Sequence, residues 1–136
     1  MPFTPYHFGP SGFAGLVFKK YLDLPVFVLA NVIVDIEVLL YDHWPVHRYV
    51  HTLLLGAAAG ILWALAAYPC REIFAKIMEL LRLPYQASLK KMITSGILGI
   101  WFHVLIDSIY HWDVRLFWPS SIKFCHSPFL SVILTF

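Results

Sequence analysis

The chain has 136 residues, of which 60% are hydrophobic and 13% charged, with a formal net charge of +2. The charged share is about half that of a soluble domain, and a small chain has proportionally the most surface to cover with polar groups. Composition therefore argues against a soluble enzyme and a disordered chain, and the slight positive charge, without a basic-aromatic stripe, argues against a nucleic-acid binder.

Apolar runs then follow one another along the chain. The first, 7–18, starts with His7, Gly9 and Pro10 and is too short to cross a bilayer, so a half-span or re-entrant helix is expected. The segment before it has no basic stretch ahead of an apolar core, and no cleavable signal peptide is expected. Lys19 and Lys20 end this run. The second, 24–40, carries Asn31, Asp35 and Glu37. The third, 49–68, reads YVHTLLLGAAAGILWALAAY and has no Lys, Arg, Asp or Glu over roughly the twenty residues that one helix needs to span the hydrocarbon. Its Gly56 and Gly60 form a GxxxG pair, a close-packing face for another helix, through which a second copy of the chain could also associate. The connection 69–91 holds Arg71, Lys76, Arg82, Lys90 and Lys91 against Glu72 and Glu79. By the positive-inside rule it is the cytoplasmic side, and its IFAKIMELL stretch reads as an amphipathic helix lying on the membrane surface. The last clear span, 92–110, carries His103 and Asp107. The tail, 127–136, is too short to cross and is expected in the interface, and Trp44, Trp112 and Trp118 read as interfacial belt residues. The expected fold is all-α: a small polytopic membrane helical bundle of about four apolar helices, some short or re-entrant, forming one integral membrane domain over 1–136.

Alternation of direction carries the functional reading. With the basic connection and Lys19–Lys20 on one side, His7, Asp35, Glu37, His47, His51, His103 and Asp107 all reach the opposite face. Cys70 falls inside and Cys125 outside, so they are not expected to pair. Ionisable groups within spans cost about 2.5–3.5 kcal/mol each at mid-bilayer. Asp35, Glu37 and Asp107 together approach, at roughly 5–10 kcal/mol, the whole stability of a typical domain. A metal, mutual pairing or a wet cavity must offset that. Spacing favours a metal. On helices, His47 and His51, then His103, Asp107 and His111, stand four residues apart and share a face. Histidine and carboxylate from several helices is how bundle metal sites are built. The candidate ligands are His7, Asp35, Glu37, His47, His51, His103, Asp107, His111 and Asp113. They are too many for one tetrahedral zinc, so one or two ions are expected, with some residues orienting the ligands. Zinc, manganese or iron suits the mix. Simpler readings stand beside these: a metal-free His51–Asp107 pair, an Asp113–Arg115 ion pair, and His43 and His126 as ordinary loop and interfacial histidines.

Four segments, TPYHFGP (4–10), NVIVDIEVLL (31–40), HRYVHTLLLG (47–56) and FHVLIDSIYHWDVRLFWP (102–119), carry a resemblance that covers most of the chain. Together they resemble the membrane-bound, metal-dependent hydrolase family, also described as LexA-binding, inner-membrane-associated hydrolases. That family shows an early Thr-His, a Pro-Asp-Leu-Asp segment, a His-Arg…Thr-His-Ser segment and a late Ser-His-Leu-Leu-Leu-Asp followed by Arg and Trp-Pro. The resemblance places Asp35 and Glu37 in the paired acidic positions, His51 in the Thr-His-Ser position, and His103 and Asp107 in the late pair. It implies a bacterial inner membrane and hydrolase activity. Val34 replaces the family's proline, the His47–His51 interval is one residue shorter, and Tyr110, His111, Trp112 and Asp113 replace small residues, which marks a variant subgroup.

The expected activity is hydrolysis at the membrane interface, facing away from the cytoplasm. A metal held by Asp35, His51, His103 and Asp107 would activate water, with Glu37 as general base or second-metal ligand. Arg48 and Arg115 would hold an anionic group of a membrane lipid phosphoester. The alternative is a non-catalytic membrane protein: a metal carrier, an assembly factor or a structural protein.

Overall fold

The computed structural model describes residues 7–39, 49–111 and 113–120. Among these the chain is all-helical, without strands. Its helices are α1 (Phe8–Val17), α2 (Leu24–Leu39), α3 (Leu53–Ala67), α4 (Arg71–Leu80) and α5 (Leu89–Tyr110). A single 3-10 turn, Tyr68–Cys70, joins α3 to α4, so the two form one continuous run, Leu53–Leu80, and the five helices amount to four rods. Two of these, Leu53–Leu80 and Leu89–Ile109, are long and apolar enough to cross a membrane. By comparison, α1 has 10 residues and α2 has 16.

Local chemistry sets the helix ends. Asp23 opens α2: its Oδ1 accepts the Val26 N–H at 3.2 Å, and Pro25 falls in the first turn, where its missing N–H leaves no partner wanting. Thr52 opens α3 by accepting the Leu55 N–H on Oγ1 at 3.2 Å. The helix therefore starts at Leu53, later than the run 49–68 suggests. At the far end of α4, the Arg82 N–H donates to Glu79 O (2.8 Å) and the Leu83 N–H to Met78 O (2.9 Å). This pair of bonds needs a left-handed residue at Arg82, whose φ is 55°, a position usually held by glycine.

Helix directions follow from the pairings. α3 runs antiparallel to α5: Gly60 faces Gly96 and Ile97, Gly56 faces Ile100, and the Trp101 indole donates to Leu53 O at 2.8 Å. α2 runs parallel to α5. The Asp23 N–H donates to Ser95 Oγ (2.6 Å) at one end, and Asp35 meets His103 at the other. The Trp63 indole closes the third side by donating to Val26 O (3.1 Å). In the core, Ala30, Val34, Ile100 and Val104 pack with Val114 and Leu116, which return from the segment after α5.

The packing of α3 is inverted relative to a water-soluble helix. Its buried residues are Gly56, Gly60, Ala64 and Ala67, whereas Leu54, Ile61, Leu62 and Leu65 point outward. Small residues let backbones approach and large ones face the surroundings, the pattern of helices packed in lipid. The Gly56–Gly60 face packs on another helix, the chain's own α5. α4 is apolar on two sides. It buries Phe74 and Met78 and exposes Ile73, Ile77 and Leu80.

The basic end is tied together by polar bonds. Lys91 Nζ donates to Lys19 O (3.2 Å), and the Tyr85 O–H donates to Asp23 Oδ2 (2.8 Å). Burial pushes the Asp23 carboxyl above the ordinary carboxylate range, against the opposing pull of Tyr85, the Val26 N–H and Lys91.

Two outcomes follow. A Cβ at Gly60 would lie 2.7 Å from backbone atoms of Gly96 and Ile97, whereas one at Gly12 would meet nothing within 4 Å. Gly60→Ala should destabilise the fold by about 1–3 kcal/mol through overpacking, and Gly12→Ala should be neutral or stabilising, as read by thermal unfolding. The raised Asp23 value favours the protonated form in the folded state. Its contribution to stability is complete below the unfolded carboxylate value, about pH 3.9, and is lost as pH rises through the folded value. In Asp23→Asn, melting temperatures across this range should lose that downward slope.

Candidate metal centre

At the end of the bundle opposite the lysines, Asp35, His51, His103 and Asp107 come together, all four buried. Each offers one ligand atom, and these atoms lie within 4.8 Å of one another. Asp35 comes from α2, His103 and Asp107 from α5 one turn apart, and His51 from the turn ahead of the Thr52 cap. Lys91 and Asp107 on α5 are separated by about 24 Å at 1.5 Å per residue.

His103 sits at the centre. Its Nε2 is 2.9 Å from Asp107 Oδ2 and 3.2 Å from Asp35 Oδ1. Neither approach has hydrogen-bond geometry, and its Nδ1 also has no hydrogen-bond partner among the described residues. A ring N–H has to point along the in-plane bisector to bond. Short N···O approaches that miss this direction are compatible with lone pairs aimed at a common central point. Buried carboxylates crowded in this way need a compensating charge. The donor set, two imidazoles and two carboxylates, fits a divalent cation.

Glu37 lies behind this set. Its Oε2 is 2.8 Å from His51 Nδ1, and its oxygens also accept the N–H groups of Tyr49 (2.7 Å) and Val50 (3.0 Å). The bond assigns the proton of a neutral His51 to Nδ1 and the lone pair to Nε2. Nε2 is the atom nearer the cluster, 3.6 Å from Asp107 Oδ2. This is the carboxylate–histidine relay that orients metal-binding imidazoles. Glu37 is outside the four-residue set. Its geometry is that of a positioning residue on His51. α2 continues through Glu37, so the side chain does diverge from Asp35, and the turn at 49–51 folds back to meet it.

Other expected residues fall as follows. His7, the N-cap of α1, joins the cluster with Nε2 3.0 Å from Asp107 Oδ1. The helical spacing proposed for His51 does not operate, because Thr52 starts the helix after it. The spacing proposed for His111 fails likewise: α5 ends at Tyr110 and His111 is extended (φ −110°, ψ 118°). Its backbone N–H still donates to Asp107 O at 2.7 Å. Asp113 is buried in the following turn and Arg115 is exposed, and neither belongs to the four-residue set. His47 and Arg48 lie outside the described residues, as do His43, Trp44, Trp112, Cys125, His126 and the tail 127–136. Cys70 is exposed with a free thiol.

Two buried polar features lie beyond this cluster: Asn31, whose four-residue interval to Asp35 is plain in the sequence, and a second at the basic end that went unread. Asn31, one turn before Asp35, donates to Phe27 O and Val28 O at 3.1 Å, and its Oδ1 has no partner among the described residues. The Asp23–Tyr85–Ser95 knot at the basic end was signalled only by Asp23 standing two residues ahead of Pro25, a helix-start signature.

No protein-family model, curated protein or solved structure matches the chain.

Removing the charge of Glu37 tests its role. Glu37→Gln keeps the shape but weakens the bond that fixes the His51 tautomer. Zinc affinity, measured by competition with a chromophoric chelator, should fall about 10–100-fold while helicity is retained.

Proposed function

We propose that this chain is a membrane-embedded, metal-dependent hydrolase with its metal centre at Asp35, His51, His103 and Asp107. The observation that carries the reading is the burial and convergence of these four side chains, together with the Glu37 bond that turns the His51 Nε2 toward them. The resemblance in the same segments to the membrane-bound hydrolase family supports it. So do the two long apolar helices and the outward-facing leucines of α3. In this reading the rods of α1 and α2 complete a bundle of four in a bacterial inner membrane. The lysines face the cytoplasm and the metal centre faces away from it.

Zinc best suits two imidazoles and two carboxylates, and manganese or iron takes the same donors. Such an ion, when bound, acts as a Lewis acid and lowers the pKa of a water toward neutrality. The chain's own residues supply the rest. Glu37 holds the His51 ring in one tautomer and orientation. Burial behind Val34, Ile100 and Val104 keeps the donors in a low-dielectric surround. Val114 and Leu116 pack into that core and Leu116 O accepts the Leu53 N–H at 3.0 Å, which leaves Arg115 exposed between them. A guanidinium there suits the fork geometry of a phosphate, and Arg48 is the second arginine that this reading assigns to that group. The favoured substrate is a membrane lipid carrying a phosphoester.

Detergent-purified protein loaded with zinc or manganese should hydrolyse a phospholipid phosphoester, and His103→Ala should lower kcat/KM at least ~100-fold, a loss of about 2.7 kcal/mol. Bound metal without turnover of any phosphoester would instead leave a carrier or assembly factor as the reading.

A further inference from the structure

Asp107 has a second oxygen, and a second imidazole faces it. Oδ2 is directed at His103 (2.9 Å) and His51 (3.6 Å), whereas Oδ1 lies 3.0 Å from His7 Nε2. His7 is only 4% exposed. Neither of its ring nitrogens has hydrogen-bond geometry to any described residue. Its approach to Asp107 falls outside the four-residue set.

Ring geometry separates His7 from the first ion. The His7 and His103 rings are stacked, with centroids 4.2 Å apart and planes inclined by 27°. An imidazole nitrogen binds a metal close to its own ring plane, at about 2.0–2.1 Å. Rings stacked in this way direct their nitrogens along separate planes, so an ion in the plane of His103 lies off the plane of His7. One ion can therefore be held in plane by His103 or by His7, and not by both. The carboxylate between them has two oxygens with diverging lone pairs, one facing each ring.

We propose that Asp107 bridges two divalent cations, the first seated at Asp35, His51, His103 and Oδ2, the second at His7 Nε2 and Oδ1. The inference rests on the metal-centre reading above and extends it. Two protein donors leave the second seat open to water or to a substrate oxygen. A pair of ions sharing a carboxylate is an arrangement that clamps the attacking and leaving oxygens of a phosphoester, at spacings of about 3.5–4 Å. α1 then has a chemical task. Ser11 Oγ bonds His7 O at 2.5 Å, fixing the histidine to the first turn of a helix that packs on α2.

Manganese added to metal-stripped, detergent-purified protein tests the proposal without reference to activity. Bound manganese per chain is measured by elemental analysis and its environment by electron paramagnetic resonance. The wild type should bind about two ions and give an exchange-coupled signal. His7→Gln, with helicity checked by circular dichroism, should bind about one and give the signal of an isolated ion. One isolated ion in both proteins would overturn the bridged pair and leave the first centre standing. Loss of all manganese in His7→Gln would also overturn it, by placing His7 in the first ion's shell. No manganese in either protein would remove both the pair and the metal centre. The exchange-coupled signal is read on the wild type alone, so the test holds even where the variant does not fold.

Discussion

One buried carboxylate, Asp107, faces His51 and His103 with one oxygen and His7 with the other, while Asp35 crowds His103 from the neighbouring helix. Glu37 supports that assembly from behind by bonding the His51 ring. Buried ionised groups are tolerated only when paired or coordinated, and two acids and three imidazoles held within a few ångströms are a heavy electrostatic load for so small a core. A divalent cation relieves it directly, because each donor then presents a lone pair to positive charge rather than to another lone pair.

Bringing those donors together requires helices that approach closely, and α3 and α5 do so through Gly60 and Gly96, where even a methyl group would strike backbone. The close seam puts the turn containing His51 beside the last turns of α5. The same choice of small residues inside leaves the large apolar residues of α3 outside. A surface of that kind is stable against lipid and a liability in water. The packing that builds the site and the apolar outer surface of α3 thus share one origin in the sequence. At the opposite end, the Asp23–Tyr85 and Lys91–Lys19 bonds lock the basic connection onto the bundle, so the two ends differ in charge and in chemistry.

Much of this was legible in the chain itself. Apolar runs and the position of the lysines were enough to bring Asp35, His51, His103, Asp107 and His7 to one end, because a helix that crosses a layer has only two ends at which to place a polar group. The i, i+4 spacing of His103 and Asp107 was sound, since both lie within α5. The same rule misled at His51, where a hydroxyl cap shifts the helix start by four residues, and at His111, where the helix has already ended. Spacing rules fail at helix termini because the side chain there is aimed by the turn. The bonds of Glu37 to the turn at 49–51 were not legible, because that partner is recruited by tertiary folding and leaves no local mark. The fate of the GxxxG face was equally hidden: small residues announce a close contact without saying whether the partner is another chain or another helix of the same one.

The central claim is that a bound cation offsets the charge buried around Asp107, and thermal unfolding with and without metal tests it most directly. Stripping the purified protein with a chelator should lower the melting temperature, and zinc restored in excess should raise it again. At a hundredfold excess over the dissociation constant the gain is about 2.7 kcal/mol, and it should vanish in His103→Ala. An identical melting temperature in chelator and in zinc would contradict the account and leave these residues as a metal-free network of paired groups.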